Sequence, residues 1–201
     1  AKVVFIGPCA AKKLEASRRT VRSDVDFVIT FEELDAMFAA KGIDPNQIEG
    51  ESSMHDATAA GRGYACAGGV ADAVEKCIHE YYPDVEVKIE HAEGLSECKK
   101  MLMLAKAGKM NGYMIEGMGC PGGCVNGGGQ SYVNALTRNS GFDWKQARAK
   151  ALYDEDLALP VRKSHKNSQI QKLYADFLGE PNSEKAHHLL HTHYTRKERF
   201  K

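Results

Sequence analysis

The sequence lacks net charge and long apolar runs, and each of these absences excludes a class of protein. Its 27 basic and 27 acidic side chains balance over 201 residues, whereas a nucleic-acid-binding surface needs an excess of basic residues. No apolar run approaches the length that crosses a membrane, and no segment has the pattern of a secretory signal peptide. We therefore expect neither a nucleic-acid partner nor a membrane partner.

Cysteine is also scarce. Six cysteines in a chain of this length are too few for a secreted scaffold stapled by disulfides, so we expect the cytoplasm, with the thiols buried or bound to metal. The chain is long enough for one globular unit with its own core, built in one or two lobes. Its first residues, "AKVVFI", already have the pattern of a buried strand, and we expect the sequence to continue a longer chain.

The hydrophobic pattern alternates between strands and helices. Short apolar runs at "KVVFIG", "DFVIT", "VEVKIEHAEG" and "GYMIEGMGC" predict four strands. Helices of about a dozen residues are predicted between them, one of which should begin at the N-cap Thr30 with Glu33 three residues later and end at Gly42. This alternation is typical of an α/β fold in which a mainly parallel sheet is covered by helices.

We divide the chain into two parts. Residues 1–141 are predicted to form an α/β lobe that carries the cysteine motifs, and residues 142–201 a helical C-terminal extension that packs on it, with breaks near Pro160 and Gly179–Pro181. Residues 43–63 have no sustained period and are predicted to be a long loop.

The segment "GCPGGCVNGGGQ", residues 119–130, places two cysteines among glycines. A disulfide between Cys120 and Cys124 would be unusual in the cytosol, and zinc sites prefer pairs of C-x2-C hooks, which the sequence lacks. An iron–sulfur cluster explains more, because glycine lets backbone N–H groups approach its sulfides and thiolates closely. A cluster is therefore favoured, with a disulfide and zinc as alternatives. The glycines expected to supply such N–H groups are Gly122, Gly123, Gly127, Gly128 and Gly129.

A second cysteine motif, "GPCAAKKLEAS", follows the first predicted strand. Lysines at positions 12 and 13 follow Cys9 within one turn, where an ammonium group would suit an anionic cluster. The alternative is that both lysines are solvated charges at the start of a helix. Since Cys9 and Cys120 each follow a strand, and ligands gather beyond the carboxyl ends of parallel strands, the two motifs are expected to lie side by side.

Together these motifs resemble the signatures of one family. "GPCAAKKLE" is similar to the second signature of the iron-only (FeFe) hydrogenase catalytic domain, and "MGCPGGCVNGGGQ" to its third. The segment "LPVRKSHKNSQIQKLYADFLGEPNSEKAHHLLHTHY" resembles the C-terminal tail of the same family. The resemblance covers nearly the whole chain and implies one lobe of a two-lobed hydrogenase catalytic domain.

The resemblance also implies a cofactor, a 4Fe–4S cubane held by four cysteines, one of which bridges to a diiron unit carrying carbon monoxide, cyanide and a dithiolate amine (together, the H-cluster). By this resemblance Cys9 and Cys120 are cubane ligands and Cys124 is the bridging ligand. Lys12 would bond to a cyanide, and Met118 would line the diiron pocket. The implied cofactor-binding positions are Gly7, Pro8, Cys9, Gly122, Gly123 and Gly127.

Two departures from the family pattern affect the expectation. The first signature, "TSCCPxW", supplies the fourth cubane cysteine and a proton-relay cysteine, and it does not occur here. We expect it before Ala1 in the full-length protein, and we expect the present chain alone to hold an incomplete cluster or none. In addition, Gly7 replaces the methionine typical of the family, and "GPC" resembles the sensory branch, whose members turn over hydrogen poorly.

The function that the resemblance implies is reversible oxidation of H2 to protons and electrons in the full-length protein. The expected partners are H2, protons, and a ferredoxin-like or intramolecular iron–sulfur electron donor. One rival is a hydrogenase-like assembly factor that binds ordinary clusters without hydrogen chemistry. The other is a redox- or H2-sensing module, and it depends on Gly7 alone.

The remaining cysteines and histidines receive structural roles. Cys77 and Cys98 lie in predicted helices and are expected to be small core residues, whereas Cys66 is left unassigned. Trp144 is expected to pack a helix. Four histidines of the tail have helical spacing, and packing is favoured over metal ligation for them: His187, His188, His191 and His193.

Overall fold

The computed structural model describes residues 1–18, 24–49 and 58–191. The strands are β1 (Val4–Gly7), β2 (Phe27–Thr30), β3 (Lys88–Glu93) and β4 (Tyr113–Met118). The helices are α1 (Ala11–Ser17), α2 (Phe31–Ala40), α3 (Ala59–Gly63), α4 (Gly69–Tyr81), α5 (Gly94–Lys106), α6 (Ala135–Asn139), α7 (Trp144–Leu157), α8 (Ser168–Leu173) and α9 (Glu184–Leu190). The predicted α/β class is confirmed.

The strands pair in parallel, as predicted. β1 pairs with β2, with Gly7 opposite Thr30, and β3 pairs with β4, with Glu93 opposite Met118. In the part of the chain that the structure describes, these are two separate two-stranded sheets. Each cysteine motif begins where a strand of one pair ends.

The chain divides into two compact units. One contains residues 1–49, 128–131 and 172–201, and the other contains residues 50–127 and 132–171. The C-terminal helices therefore contribute to both units, and the glycine segment after Cys124 passes from the second unit to the first. The boundary after residue 141 stays a prediction.

In the first unit, side-chain bonds fix the helices on the β1–β2 pair. The Thr30 hydroxyl accepts the Glu33 N–H at 3.2 Å, and the Glu33 carboxylate accepts the Thr30 N–H at 2.8 Å, which confirms the predicted cap of α2. Gly42 follows the end of α2 with a φ of 67°, as a terminating glycine does. The Lys13 ammonium on α1 donates to the Val28 carbonyl at 2.9 Å and pairs with Glu33 at 2.8 Å.

In the second unit, the segment "RKSHK" (residues 162–166) binds α4 through Glu80. The Glu80 carboxylate on α4 accepts bonds from Lys163, from His165 at 3.0 Å and from Lys166 at 2.5 Å. These hydrogen bonds, that of Lys163 first, lower the pKa of Glu80 from 4.5 to about 2. The segment "RKSHK" therefore makes structural contacts.

The loop predicted over residues 43–63 is wrong at its end, where α3 forms. Thr58 caps this helix by accepting the Gly61 N–H at 3.1 Å. The N–H groups of Ala59 and Ala60 bind the carbonyls of Val161 and Arg162 at 3.1 Å. Because contacts with a segment distant in sequence stabilise this helix, its own hydrophobic pattern does not predict it. Residues 50–57 of the same prediction lie outside the described residues.

The buried hydrophobic side chains of the second unit are small and include Cys66, Ala71, Ala92 and Val125. Larger side chains remain exposed, Leu95 to 79% and Leu136 to 85%. The well-buried part of this unit therefore includes the neighbourhood of the second cysteine motif. Among the described residues, no helix has both the length and the apolar character to cross a membrane.

Candidate metal centre

Two half-buried cysteines that form no disulfide, Cys120 and Cys124, lie on one compact turn after β4. We call residues 119–127 the cysteine turn. The Gly123 N–H donates to the Cys120 carbonyl at 3.0 Å, and a 3₁₀ turn at Cys124–Asn126 follows, closed by the Gly127 N–H on the Cys124 carbonyl at 2.9 Å. Successive backbone bonds thus fix the separation of the two cysteines.

Gly123 is required by the shape of this turn. Its φ of 94° and ψ of −163° are open almost only to glycine. A Cβ there would also lie 2.6 Å from the Ala67 nitrogen and 2.7 Å from the Ala65 oxygen. The segment before α4 therefore packs directly on the backbone of the turn.

Hydrogen bonds join the same two segments. The Val125 N–H donates to the Ala65 carbonyl at 3.0 Å, and the Ala67 N–H donates to the Gly122 carbonyl at 3.2 Å. Cys66, left unassigned from the sequence, lies buried between these bonds. Its hydrogen bond to Tyr153, together with partial burial, raises the pKa of Tyr153 to about 12. Cys66 therefore packs beneath the turn and interacts with a side chain of α7.

Two carboxylates that sequence reasoning missed hold these segments. The Glu93 carboxylate, at the end of β3, accepts the Gly122 N–H at 2.6 Å. Glu116 on β4 accepts the N–H groups of Gly68 and Ala71 at 2.9 and 2.8 Å, at the beginning of α4. A glutamate in a strand belongs to no recognisable motif. Only the glycine pair Gly68–Gly69, at the beginning of α4, indicates from sequence that another segment packs closely there.

Most of the motif's glycines donate hydrogen bonds within the protein. Gly122 donates to Glu93, Gly123 to Cys120, Gly127 to Cys124 and Gly129 to Pro8. The physical role that the structure assigns to Gly123 and Gly129 is close packing, since a Cβ at Gly129 would lie 2.8 Å from the Thr30 side chain. The assignment of Gly122, Gly123 and Gly127 as cofactor-binding positions stays a prediction.

The first cysteine motif lies in the first unit. Cys9 is half-buried between β1 and α1, and Gly7 is buried at the end of β1. A Cβ at Gly7 would lie 2.7 Å from the Phe5 ring, so this ring occupies the space that a side chain at position 7 would enter. Lys12 forms an ion pair with Glu15 at 2.7 Å, while Lys13 makes the sheet contacts described above.

The structure brings parts of the predicted site together within each unit. In the second, the single turn carries Cys120 and Cys124 after Met118. In the first, the Gly129 N–H donates to the Pro8 carbonyl at 2.8 Å, so the end of the second motif contacts the residue before Cys9. The placement of Cys9 beside Cys120 stays a prediction.

Cys77 and Cys98 lie in α4 and α5, which confirms their placement in helices. The Cys98 thiol donates to the carbonyls of Ala92 and Met118, at 3.6 Å each, and so packs on the ends of β3 and β4. Trp144 begins α7, and its indole N–H donates to the Asn126 side-chain oxygen at 3.3 Å, in the cysteine turn. The helix-packing role expected for Trp144 therefore includes a contact with the site.

The described histidines of the C-terminal tail lie beside a cavity along α9. The rings of His187 and His191 stack with centroids 4.7 Å apart, and a cavity of about 1360 Å³ in the first unit runs along α9 beside Phe177. Within residues 1–18, 24–49 and 58–191, no three His, Cys, Asp or Glu side chains are grouped to hold a metal ion. His193 lies outside the described residues, and the packing role of the run stays a prediction.

Known proteins match both regions of the chain. Residues 1–128 match the family described as iron only hydrogenase large subunit, C-terminal domain, and residues 143–197 match iron hydrogenase small subunit. A subunit of the NADP-reducing hydrogenase of Solidesulfovibrio fructosivorans is 34% identical over 98% of this chain and 38% of its own length. A cytosolic Fe–S cluster assembly factor of Drosophila grimshawi is 31% identical over 95% of this chain and 47% of its own.

A solved structure agrees with these matches. A variant of the FeFe-hydrogenase of Chlamydomonas reinhardtii superposes with a TM-score of 0.74 at 26% identity, over 96% of this chain and 63% of that one. The chain spans less than half the length of the two curated relatives above. The cysteine motifs, the parallel strand pairs and these matches agree that the chain belongs to the iron-only hydrogenase large-subunit family.

Proposed function

We propose that this chain is the part of an iron-only hydrogenase catalytic domain that supplies Cys9, Cys120 and Cys124 to the cluster, and that the full-length protein oxidises H2 reversibly to protons and electrons. The observation that carries the proposal is that Cys120 and Cys124, which are in no disulfide, are fixed on one turn by backbone bonds. Family membership of residues 1–128 supports it.

The residues present fit an iron–sulfur group. Thiolates are the usual protein ligands of such clusters, and both cysteines of the turn are half-buried, where a ligand can reach them while much of the solvent is excluded. A 4Fe–4S cubane with its diiron unit would supply the electron-transfer and hydrogen-bond-breaking chemistry. The protein supplies ligands, orientation and a shielded site.

The other site residues have supporting roles in this proposal. Lys12, which pairs with Glu15 on α1, would offer a cationic donor three residues after Cys9. Met118 ends β4 two residues before Cys120 and presents a half-buried apolar side chain. Phe5, which covers Gly7, is an additional apolar neighbour of the motif "GPC". Together these groups would shield a bound cluster and balance its charge.

The electron partner in this proposal is a ferredoxin-like protein or an iron–sulfur domain of the same polypeptide. The compartment is the cytoplasm, supported by the small number of cysteines, none of which is in a disulfide in the described residues.

A hydrogenase-like protein without hydrogen chemistry is the second candidate. The similarity to a cluster assembly factor over 95% of the chain favours it, and Gly7 in place of methionine favours a sensor within the same candidate. Both would use the same cysteines to hold an iron–sulfur group, so ligand identity does not distinguish them.

Infrared spectroscopy on the natural full-length protein distinguishes the candidates. The protein is expressed anaerobically with hydrogenase maturation factors, and bands of iron-bound carbon monoxide and cyanide are sought together with hydrogen evolution from a reduced dye. We expect both signals. Iron and sulfide without these bands would replace the hydrogenase proposal with the assembly or sensor candidate.

A further inference from the structure

The first two turns of α7 lie along the cysteine turn. The Trp144 indole binds the side-chain oxygen of Asn126, whose amide in turn donates to the Pro121 carbonyl at 3.1 Å. The aliphatic part of Lys145 packs beside Gly122, where a Cβ would lie 3.5 Å from the lysine Cδ. One face of α7 thus contacts the turn between Gly122 and Asn126.

Arg148 makes the charged contact of this face. Its guanidinium Nη1 donates to the Val125 carbonyl at 3.1 Å. Val125 is only 3% exposed and directly follows Cys124. The Val125 N–H is already bound to Ala65, so Arg148 satisfies the other backbone polar group of this residue. A buried carbonyl without a donor is unfavourable, and a charged donor makes a stronger bond than a neutral one.

The geometry of α7 is itself fixed locally. Asp143 caps the helix by accepting the N–H groups of Lys145 and Gln146 at 3.0 Å. Arg148 is four residues after Trp144, so both lie on one helix face. Lys150 instead pairs with Asp154, four residues on, at 2.5 Å and leaves the turn uncontacted by any described bond. The same helix therefore provides a basic residue that contacts the turn, Arg148, and a control basic residue that pairs elsewhere, Lys150.

We propose that Arg148 is a positioning residue for Cys124. It holds the Val125 carbonyl and, with the Trp144–Asn126 bond, fixes the second cysteine of the turn relative to the first. The inference rests on the proposed function in taking Cys124 as a cluster ligand. The proposal also assigns a role to residues 143–197, which match a hydrogenase small subunit. Their first helix, α7, would hold the cysteine turn, which lies in the region that matches the large subunit.

The contact of Arg148 with the cysteine turn is tested first on the 201-residue chain without metal. Trp144 is the only tryptophan, so its emission reports on the contact with Asn126. The variants are Arg148→Met, Arg148→Lys and the control Lys150→Met. In Arg148→Met we expect emission at longer wavelength, more quenching by acrylamide, and about tenfold faster hydrogen exchange over residues 120–127, the factor that the loss of one charged hydrogen bond represents.

Arg148→Lys should recover part of the emission, quenching and exchange changes, and Lys150→Met should match the wild type in all three. Should Arg148→Met fail to fold, Asn126→Ala, which removes the indole's acceptor, is expected to change the Trp144 emission in the same direction. Unchanged emission and exchange in a folded Arg148→Met protein would overturn the proposal.

A second measurement uses the loaded full-length protein. Arg148 binds the residue after Cys124, and removing its positive charge would disfavour the reduced form of an anionic cluster held by Cys124. The midpoint potential should therefore fall in Arg148→Met, return towards the wild-type value in Arg148→Lys, and stay constant in Lys150→Met. An unchanged potential in loaded Arg148→Met protein counts against the proposal. If the protein binds no cluster at all, the proposed function fails, while emission and exchange still decide the role of Arg148.

Discussion

Gly123 lies so close to Ala67 that no side chain fits between them: a Cβ at Gly123 would be 2.6 Å from the Ala67 nitrogen. This contact joins the cysteine turn to the segment before α4, and the bonds from Val125 to Ala65 and from Ala67 to Gly122 continue it. The shape of the turn is therefore set by protein packing, before any metal is considered.

Gly123→Ala should be severely destabilising. Both the backbone conformation and the lack of space oppose a side chain, and we expect the free energy of unfolding to fall by about 3 kcal/mol or more in urea denaturation. The matched control is Gly119→Ala in the same turn, where nothing lies within 4 Å of the added Cβ. A change of about 0.5 kcal/mol or less is expected there. Equal losses in the two variants would contradict the packing argument.

Cys124→Ala in the natural full-length protein should abolish hydrogen turnover, because the proposed bridging thiolate is lost. Cys77→Ala should leave turnover nearly intact, since this thiol lies in α4 outside the cysteine turn. Hydrogen evolution from a reduced dye measures both. Cys98 is a poorer control because its thiol contacts the Met118 carbonyl. Similar losses in both variants would refute the ligand assignment.

Lys12→Ala should lose the diiron unit or its activity, whereas Lys13→Ala should cost a little stability and leave the cluster in place. The reason is that Lys13 contacts Val28 and Glu33 on the β1–β2 pair, whereas Lys12 pairs with Glu15 on its own helix α1. Iron content, infrared bands and thermal unfolding separate the two effects. Greater cluster loss in Lys13→Ala would show that the wrong lysine was assigned.

The Glu80 contacts should make stability depend on pH. The pKa of Glu80 is lowered from 4.5 to about 2 in the folded chain, so the unfolded chain binds this proton first as pH falls. The stabilisation is therefore complete above about 5 and is lost towards about 2. Urea midpoints of wild type and Glu80→Gln should differ at neutral pH and converge in acid. A constant difference across this range would show that the carboxylate charge is not responsible.

The isolated 201-residue chain should bind no complete cubane, because the proposed ligands number three. Iron and acid-labile sulfide are measured after anaerobic purification, and clearly fewer than about four of each per chain are expected. The control is the Cys120→Ala variant, which should lower any residual iron further. About four iron and four sulfide with hydrogen evolution would disprove this expectation.

The sequence predicted much of the fold because its signals are local. The apolar runs of β1 to β4, the Thr30–Glu33 cap and the terminating Gly42 all depend on residues a few positions apart, and each is found as expected. The short helix α3 was missed because its cap is local but its support comes from Val161 and Arg162, about a hundred residues away.

By itself, the sequence determined the family, the parallel α/β class and the two cysteine motifs, since spacing and residue type are enough for these. Only the tertiary structure decided how the second motif is held. Glu93, Glu116, Trp144 and Arg148 come from three different elements, and nothing in their local patterns points to the turn. The glycines looked like donors to a cluster, yet most donate within the protein. The physical reason is that a backbone N–H binds whichever acceptor the fold brings within reach, and the sequence alone does not say which one that is.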